Sequence, residues 1–250
     1  MTASLIWKAE QACLNAWPAL HNVLLGDWVV RFSEGLTRRS NSANPLRPEA
    51  RASGATIQQF ENLFRAQRLP LIIRVPSMLD PAVDRNLDKI GFAAEGESCV
   101  LYADLNSIAA RNDDSVEIAD GVDDEWLEAM NAMQKRTPEQ AEIFDQIVLS
   151  IALPAGFATL FDGEEIIAQA YGVIHDDLLC CESVITDEQH RGQGVAHRLM
   201  SAMFAWAATQ GAKGVCLQVE MNNAPGLKLY RDLGLTTELS RYHYRRQPLG

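Results

Sequence analysis

The run Val184-Ile185-Thr186-Asp187-Glu188-Gln189-His190-Arg191-Gly192-Gln193-Gly194-Val195-Ala196 decides how the chain is read. It begins as the end of a β-strand and turns tightly at two glycines. A helix follows, with Val195, Leu199, Met203 and Trp206 along its buried side. Gly192 and Gly194 let the backbone turn sharply with no Cβ facing a ligand. The first N–H groups of the helix have no partner within it and lie at the positive end of its dipole. Such a strand, turn and helix start binds anionic phosphate oxygens. A dinucleotide fingerprint would place glycine at position 197, which is His, and the Gly-Lys-Ser/Thr of a P-loop is absent. A plain glycine turn ahead of a core helix is the alternative that this run alone leaves open.

Strands and helices alternate on both sides of the run. Upstream, residues 157–161 and 166–174 read as strands joined by Asp162-Gly163, a hairpin turn. Asp176-Asp177 marks a turn before a strand over 178–186. Thr137-Pro138-Glu139 starts a helix with a cap, a proline at the first position and an acid in the first turn. Downstream, the helix runs to about Gly211, residues 215–219 form a strand, 225–233 a helix and 240–246 a strand. In the first half, 28–32, 71–75 and 98–105 read as strands. Thr56-Ile57-Gln58-Gln59 reads as a capping box opening a helix, and 79–90 as a helix capped by Gly91. The fold class is α/β, a mixed sheet covered by helices. The acidic, turn-rich stretch between Asn106 and Glu125 is the seam between two halves. Asn86 to Phe92 echoes Leu229 to Leu235, each followed by a strand.

The chain has 250 residues and a net charge of −11. Residues 1–110 hold 11 basic and 11 acidic side chains, and 111–250 hold 11 and 22, so the whole excess lies in the second half. No basic footprint for nucleic acid exists. No run is apolar and long enough to span a membrane, and Met1 to Gln11 lacks the pattern of a signal peptide. Cys13, Cys99, Cys180, Cys181 and Cys216 show no C-x-x-C pair and no histidine at ligand spacing. They read as free buried thiols in a reducing compartment, with no metal site and a cytoplasmic location.

Arg191-Gly192-Gln193-Gly194-Val195-Ala196 resembles the Arg/Gln-x-x-Gly-x-Gly/Ala signature of the GCN5-related N-acetyltransferase (GNAT) superfamily. About 30 residues on, Asn223-Ala224-Pro225-Gly226-Leu227-Lys228-Leu229-Tyr230 and then Leu233-Gly234-Leu235 resemble its second signature. Gly226 stands where alanine is usual, Leu235 where phenylalanine is usual and Glu188 where proline is common. The whole chain also resembles a bacterial subgroup with a degenerate N-terminal copy. The resemblance thus implies tandem GNAT-like folds, each a mixed, mostly antiparallel sheet flanked by helices. Residues 1–107 would be the degenerate domain, lacking a Gly-x-Gly loop and carrying Leu87 where the other copy has Tyr230. Residues 108–250 would be the acyl-CoA-binding domain.

That resemblance implies transfer of an acetyl or other acyl group from acetyl-CoA, as co-substrate, to a primary amine of a small molecule or peptide. Amides of Gly192, Gln193, Gly194, Val195 and Ala196, with Arg191, would hold the pyrophosphate. Val184, Ile185 and Thr186 would pair with the pantetheine arm as an added strand does, and a strand amide would polarise the thioester carbonyl. Tyr230 would be the general acid, and Asn223 would position the arm or its helix. Glu182 is the first candidate for a base, with Glu220 and His243 behind it. Trp126, Met130, Met133, Tyr171, Tyr242 and the 38–44 loop are candidates for the acceptor pocket. The acidity of 113–188 suits a cationic amine or simply a solvated surface. A non-catalytic acyl-CoA-binding module is the competing expectation, and a homodimer is left open.

Overall fold

The computed structural model describes residues 3–248. Met1, Thr2, Leu249 and Gly250, at the outer ends of the expected 1–107 and 108–250 domains, lie outside the described residues, and so does the start of the segment judged against a signal peptide. In chain order the elements are α1 (Ala3–Ala16), β1 (His21–Leu25), β2 (Trp28–Phe32), β3 (Ala43–Pro45), α2 (Gly54–Ala66), β4 (Ile72–Pro76), α3 (Pro81–Lys89) and β5 (Ala93–Asp104). There follow β6 (Val116–Ala119), α4 (Asp124–Met133), α5 (Pro138–Leu149), β7 (Ala155–Asp162), β8 (Glu165–His175) and β9 (Leu178–Thr186). The last are α6 (Val195–Thr209), β10 (Gly214–Glu220), α7 (Ala224–Asp232) and β11 (Thr237–Arg246). This is the mixed α/β class, with most strand pairs antiparallel.

Two compact units form, and they differ from a cut at 107/108 in four segments, residues 3–17, 100–107, 220–222 and 240–248. The first holds residues 3–17, 100–219 and 223–239; the second holds 18–99, 220–222 and 240–248. Hydrogen bonds explain the transfers of residues 3–17 and 240–248. The Tyr171 hydroxyl donates to the Ala16 carbonyl at 2.9 Å, and Lys8 pairs with Asp177, so α1 is fastened to β8 and the turn after it. Tyr242 to Arg246 of β11 pair with Pro76 to Ile72 of β4, so the end of the chain completes the second unit.

In the first unit the strand order is β6-β7-β8-β9-β10, antiparallel until β9 and β10, which run parallel. A parallel pair needs a crossover, and α6 supplies it, burying Val195, Leu199, Met200, Met203, Phe204 and Ala207. Trp126 of α4 packs edge-on against Phe157 and Tyr171, with centroids 5.2 and 6.2 Å away. Trp126, Met130 and Tyr171 are therefore core residues of this unit.

In the second unit the order is β1-β2-β3-β4-β11, paired antiparallel, antiparallel, parallel and antiparallel. Trp28, Val30, Phe32, Ile57, Phe60, Phe64, Ile73 and Leu87 form its core. The helix expected to open at Thr56 starts three residues sooner, because Ser53 is the cap and accepts the Thr56 N–H at 3.1 Å. The sequence echo becomes a matched pair of helix ends. Gly91 and Gly234 adopt φ of 89° and 95°, while Phe92 N–H bonds Leu87 O at 3.0 Å and Leu235 N–H bonds Tyr230 O at 2.9 Å.

The seam is tied down rather than loose. Asp113 accepts two bonds from Arg198 of α6, at 2.7 and 3.0 Å, and another from the Ser115 N–H at 3.0 Å. The Arg198 guanidinium, with those bonds, holds the Asp113 carboxyl down at about 2. A carboxyl with a depressed folded-state pKa stabilises above its unfolded value and loses that contribution as pH falls through the folded one. Asp113→Asn should lower the melting temperature at pH 7 by about 2 °C, discounted for the pair's partial exposure. In melting curves taken from pH 7 to pH 2, the difference from the parent should close below about pH 4.

Among the described residues no helix is long and apolar enough to cross a membrane.

Candidate active site

β9 carries two irregularities, one on each edge. Toward β10, Leu178 to Cys181 pair with Gly214 to Leu217, and the registered pairing ends there. Both strands run on, β9 to Thr186 and β10 to Glu220, so they fork after the Cys181–Leu217 pair. An extended ligand entering such a fork can hydrogen-bond to a strand edge as an added strand would. Toward β8, Gln169 faces Ile185 and Tyr171 faces Glu182. One residue of β8 thus spans what two residues of β9 span, which is a β-bulge. Ser183 sits in it with φ of +52°, a conformation that non-glycine residues adopt at a cost. Val184, Ile185 and Thr186 are half-buried beyond the bulge, while Glu182 is 4% exposed.

The turn after β9 is braced by its own side chains. Asp187 accepts the Gln189 N–H at 2.9 Å and lies 3.1 Å from Nδ1 of His190. Arg191 Nε donates to the Thr186 carbonyl at 3.2 Å, and Gln193 Nε2 donates to the Gln189 carbonyl at 3.0 Å. Gly192 and Gly194 have φ of +75° and +79°, and a Cβ on either would meet no atom within 4 Å. The space over the turn is open. Gly194 is the N-cap of α6 and has no side chain to satisfy the first-turn N–H groups. Asp, Ser or Thr there would cap the helix; glycine offers its first-turn amides no side-chain acceptor. Arg191, Gly192, Gln193 and Gly194 are exposed and Ala196 is half-buried. The Val195 side chain points into the core, so only its backbone faces the turn.

The second signature folds into α7 of the same unit. Asn223 is its N-cap: the side-chain oxygen accepts the Gly226 N–H at 3.0 Å. A Cβ on residue 226 would lie 2.6 Å from the Asn223 amide nitrogen, so this cap geometry suits the glycine found there. Tyr230 is half-buried two residues before the end of α7. The two reserve base candidates lie in ion pairs of the second unit. Arg38 reaches Glu220 at 2.5 Å, and His243 Nε2 lies 2.8 Å from Asp84, which also accepts Arg245 Nε at 2.7 Å. In that unit Tyr242 is buried beneath Arg74, whose guanidinium lies 3.9 Å from its ring centroid. Sequence reasoning did not find the bulge, since a serine in a strand carries no mark of a positive φ.

A parallel strand pair that forks beside a bulge, with an uncapped glycine turn leading into the crossover helix, defines a GCN5-related N-acetyltransferase fold. The family described as "Probable histone acetyltransferase Rv0428c C-terminal" matches residues 3–246, and the chain belongs to it. It is 24% identical over 246 residues to "Uncharacterized N-acetyltransferase YobR" of Bacillus subtilis (strain 168), spanning 96% of this chain and 98% of that protein. A GCN5-related N-acetyltransferase from Kribbella flavida superposes with a TM-score of 0.71 at 17% identity, over 100% of this chain and 96% of that one. A "Tandem GNAT protein from the clavulanic acid biosynthesis pathway" superposes with a TM-score of 0.62 at 12% identity, over 84% and 76%. The protein is an acetyltransferase of the GCN5-related type.

The bulge gives a direct test. Ser183→Gly should be neutral or stabilising by up to ~1 kcal/mol, since glycine adopts positive φ freely. Ser183→Val should cost about 1–3 kcal/mol, because a β-branched side chain resists that conformation. Denaturant unfolding of both variants measures the difference.

Proposed function

We propose that the chain transfers an acetyl group from acetyl-CoA to a primary amine by direct attack. The observation that carries this reading is the fork of β9 and β10 in continuity with the uncapped start of α6. The backbone of Val184, Ile185 and Thr186 would pair with the pantetheine amides. The amides of Gly192 to Ala196, with Arg191 at the rim, would hold the pyrophosphate. The amine attacks the thioester carbonyl, and a strand amide near the bulge stabilises the oxyanion of the tetrahedral intermediate. Collapse expels the thiolate, which takes a proton from Tyr230. The amine, with a free pKa of about 10 if lysine-like, gives up its own proton to Glu182 or to water. Asn223 acts through α7, whose start it caps, and so positions Tyr230.

The N-terminal part is read as a degenerate copy. Three features support this: both units run antiparallel, antiparallel and parallel with a helix crossover, α3 and α7 end alike, and a tandem protein is among the structural neighbours. Residues 46–53, which lead into α2, contain no glycine, and Leu87 is fully buried where α7 carries Tyr230. This copy therefore lacks both the cradle and the acid. The five cysteines are buried and not joined in disulfides, which agrees with a cytoplasmic location.

Thermal melting with acetyl-CoA tests the donor. At 100 times Kd a ligand adds about 2.7 kcal/mol, or roughly 5–11 °C for a chain of this size. Gly194→Trp, which fills the open space over the turn, should abolish the shift while its own melting curve shows a folded protein. Absence of a shift in the parent at millimolar acetyl-CoA would overturn the donor assignment. Tyr230→Phe should keep the shift but lower kcat by about 10²-fold or more on an amine that the parent acetylates. An unchanged kcat would remove Tyr230 from the mechanism. Glu182→Gln should lower kcat and abolish the acid limb of the kcat/KM profile; an unaltered limb would return the base role to water.

A further inference from the structure

We infer that Cys13, Cys180 and Cys216 form a three-thiol site for a trivalent thiophilic element of the arsenic(III) class. The cysteines come from α1, β9 and β10 of the first unit, and their sulfurs all lie within 4.8 Å of one another. The Cys180 and Cys13 sulfurs are 3.7 Å apart. Cys180 and Cys216 are register partners in the parallel pair, so their side chains leave the same face of the sheet. α1 lays Cys13 over them, held by the Lys8–Asp177 pair, by Asn15 to His175 at 3.1 Å and by the Tyr171 bond to Ala16. Cys99 and Cys181 stand outside the cluster.

Thiol donors select soft ions, and two features narrow the choice. Among the described residues no further His, Cys, Asp or Glu joins the group, so zinc, which takes four ligands, lacks one. The three cysteines are fully buried or nearly so, and a cation held by several thiolates would leave net negative charge in an apolar interior. Arsenous acid meets both conditions. It condenses with three thiols: three S–H and three As–O bonds break, three As–S bonds form, and three waters leave. No electron is transferred and the adduct is uncharged. The Cys180–Cys216 pair lies one register step before Cys181–Leu217, where β9 and β10 part, so an occupied site would tie α1 to both strands at the base of the fork.

The test is titration of the folded chain with sodium arsenite in a thiol-free phosphine reductant, read by native mass spectrometry and thermal melting. One arsenic per folded chain and a melting temperature raised by several degrees are expected. Cys13→Ala and Cys216→Ala should lose both, and Cys99→Ala should keep both. A volume-conserving Cys13→Val checks that loss of binding is not loss of packing, and each variant's melting curve without arsenite establishes that it is folded. Zinc(II) should give no shift. Failure to load the folded parent, a lowered melting temperature, full binding by Cys13→Ala or an equal shift with zinc would each overturn the site.

Discussion

The pairing of β9 with β10 stops four residues after it begins, and the arrangement of the first unit follows from that early stop. A regular sheet satisfies its backbone groups strand by strand, which leaves nothing for a ligand. Here the last part of β9 turns one edge away from β10, while the bulge at Ser183 re-aims the other side against β8. The chain holds a residue at positive φ inside an otherwise buried sheet. Core packing around Trp126, Phe157 and Tyr171, and under α6, supplies the rigidity that keeps this conformation in place.

The glycine turn belongs to the same design. Most helices in the chain are capped by a side chain: Ser53, Asp80, Asp123, Thr137 and Asn223 each accept a first-turn N–H. α6 starts at Gly194 and has no such cap. The contrast separates helix starts that serve the fold alone from one that leaves its donors for something else. The cap at Asn223 shows how the two roles meet, since it fixes the helix that carries Tyr230.

How much of this the sequence disclosed depended on the range of the interaction. Local signals were legible: the Asp162-Gly163 hairpin, the Thr137-Pro138 helix start and the glycine stops at Gly91 and Gly234 all rest on residues close in sequence. The strand at 178–186 and the turn after it were placed within a residue for the same reason. What escaped was set by distant partners. α1, β1, β6 and α4 were not recognised as elements, because weak local patterns become definite only against the strands or helices they pack on. Thr56 looked like a cap until Ser53 proved the better-placed one. The bulge at Ser183 and the cluster of three cysteines have no local signature, since each arises from register between strands or from a helix laid across them.

The exchange of α1 and the end of β11 between the two units has a consequence for how the chain comes into being. α1 is made well before its neighbours on β8 and β9, which follow more than a hundred residues later. The second unit is nearly all synthesised by residue 99, but the strand that closes it against β4 comes last. The first unit therefore cannot finish before residues 18–99 of the second have been made, nor the second before all of the first, and their native contacts span long stretches of chain. Folding on such terms is slow, and it leaves the edge of β4 exposed until β11 has been made. The two units are joined in time as well as in sequence: a cell that makes this protein must protect an unfinished sheet from the making of β4 until β11 follows.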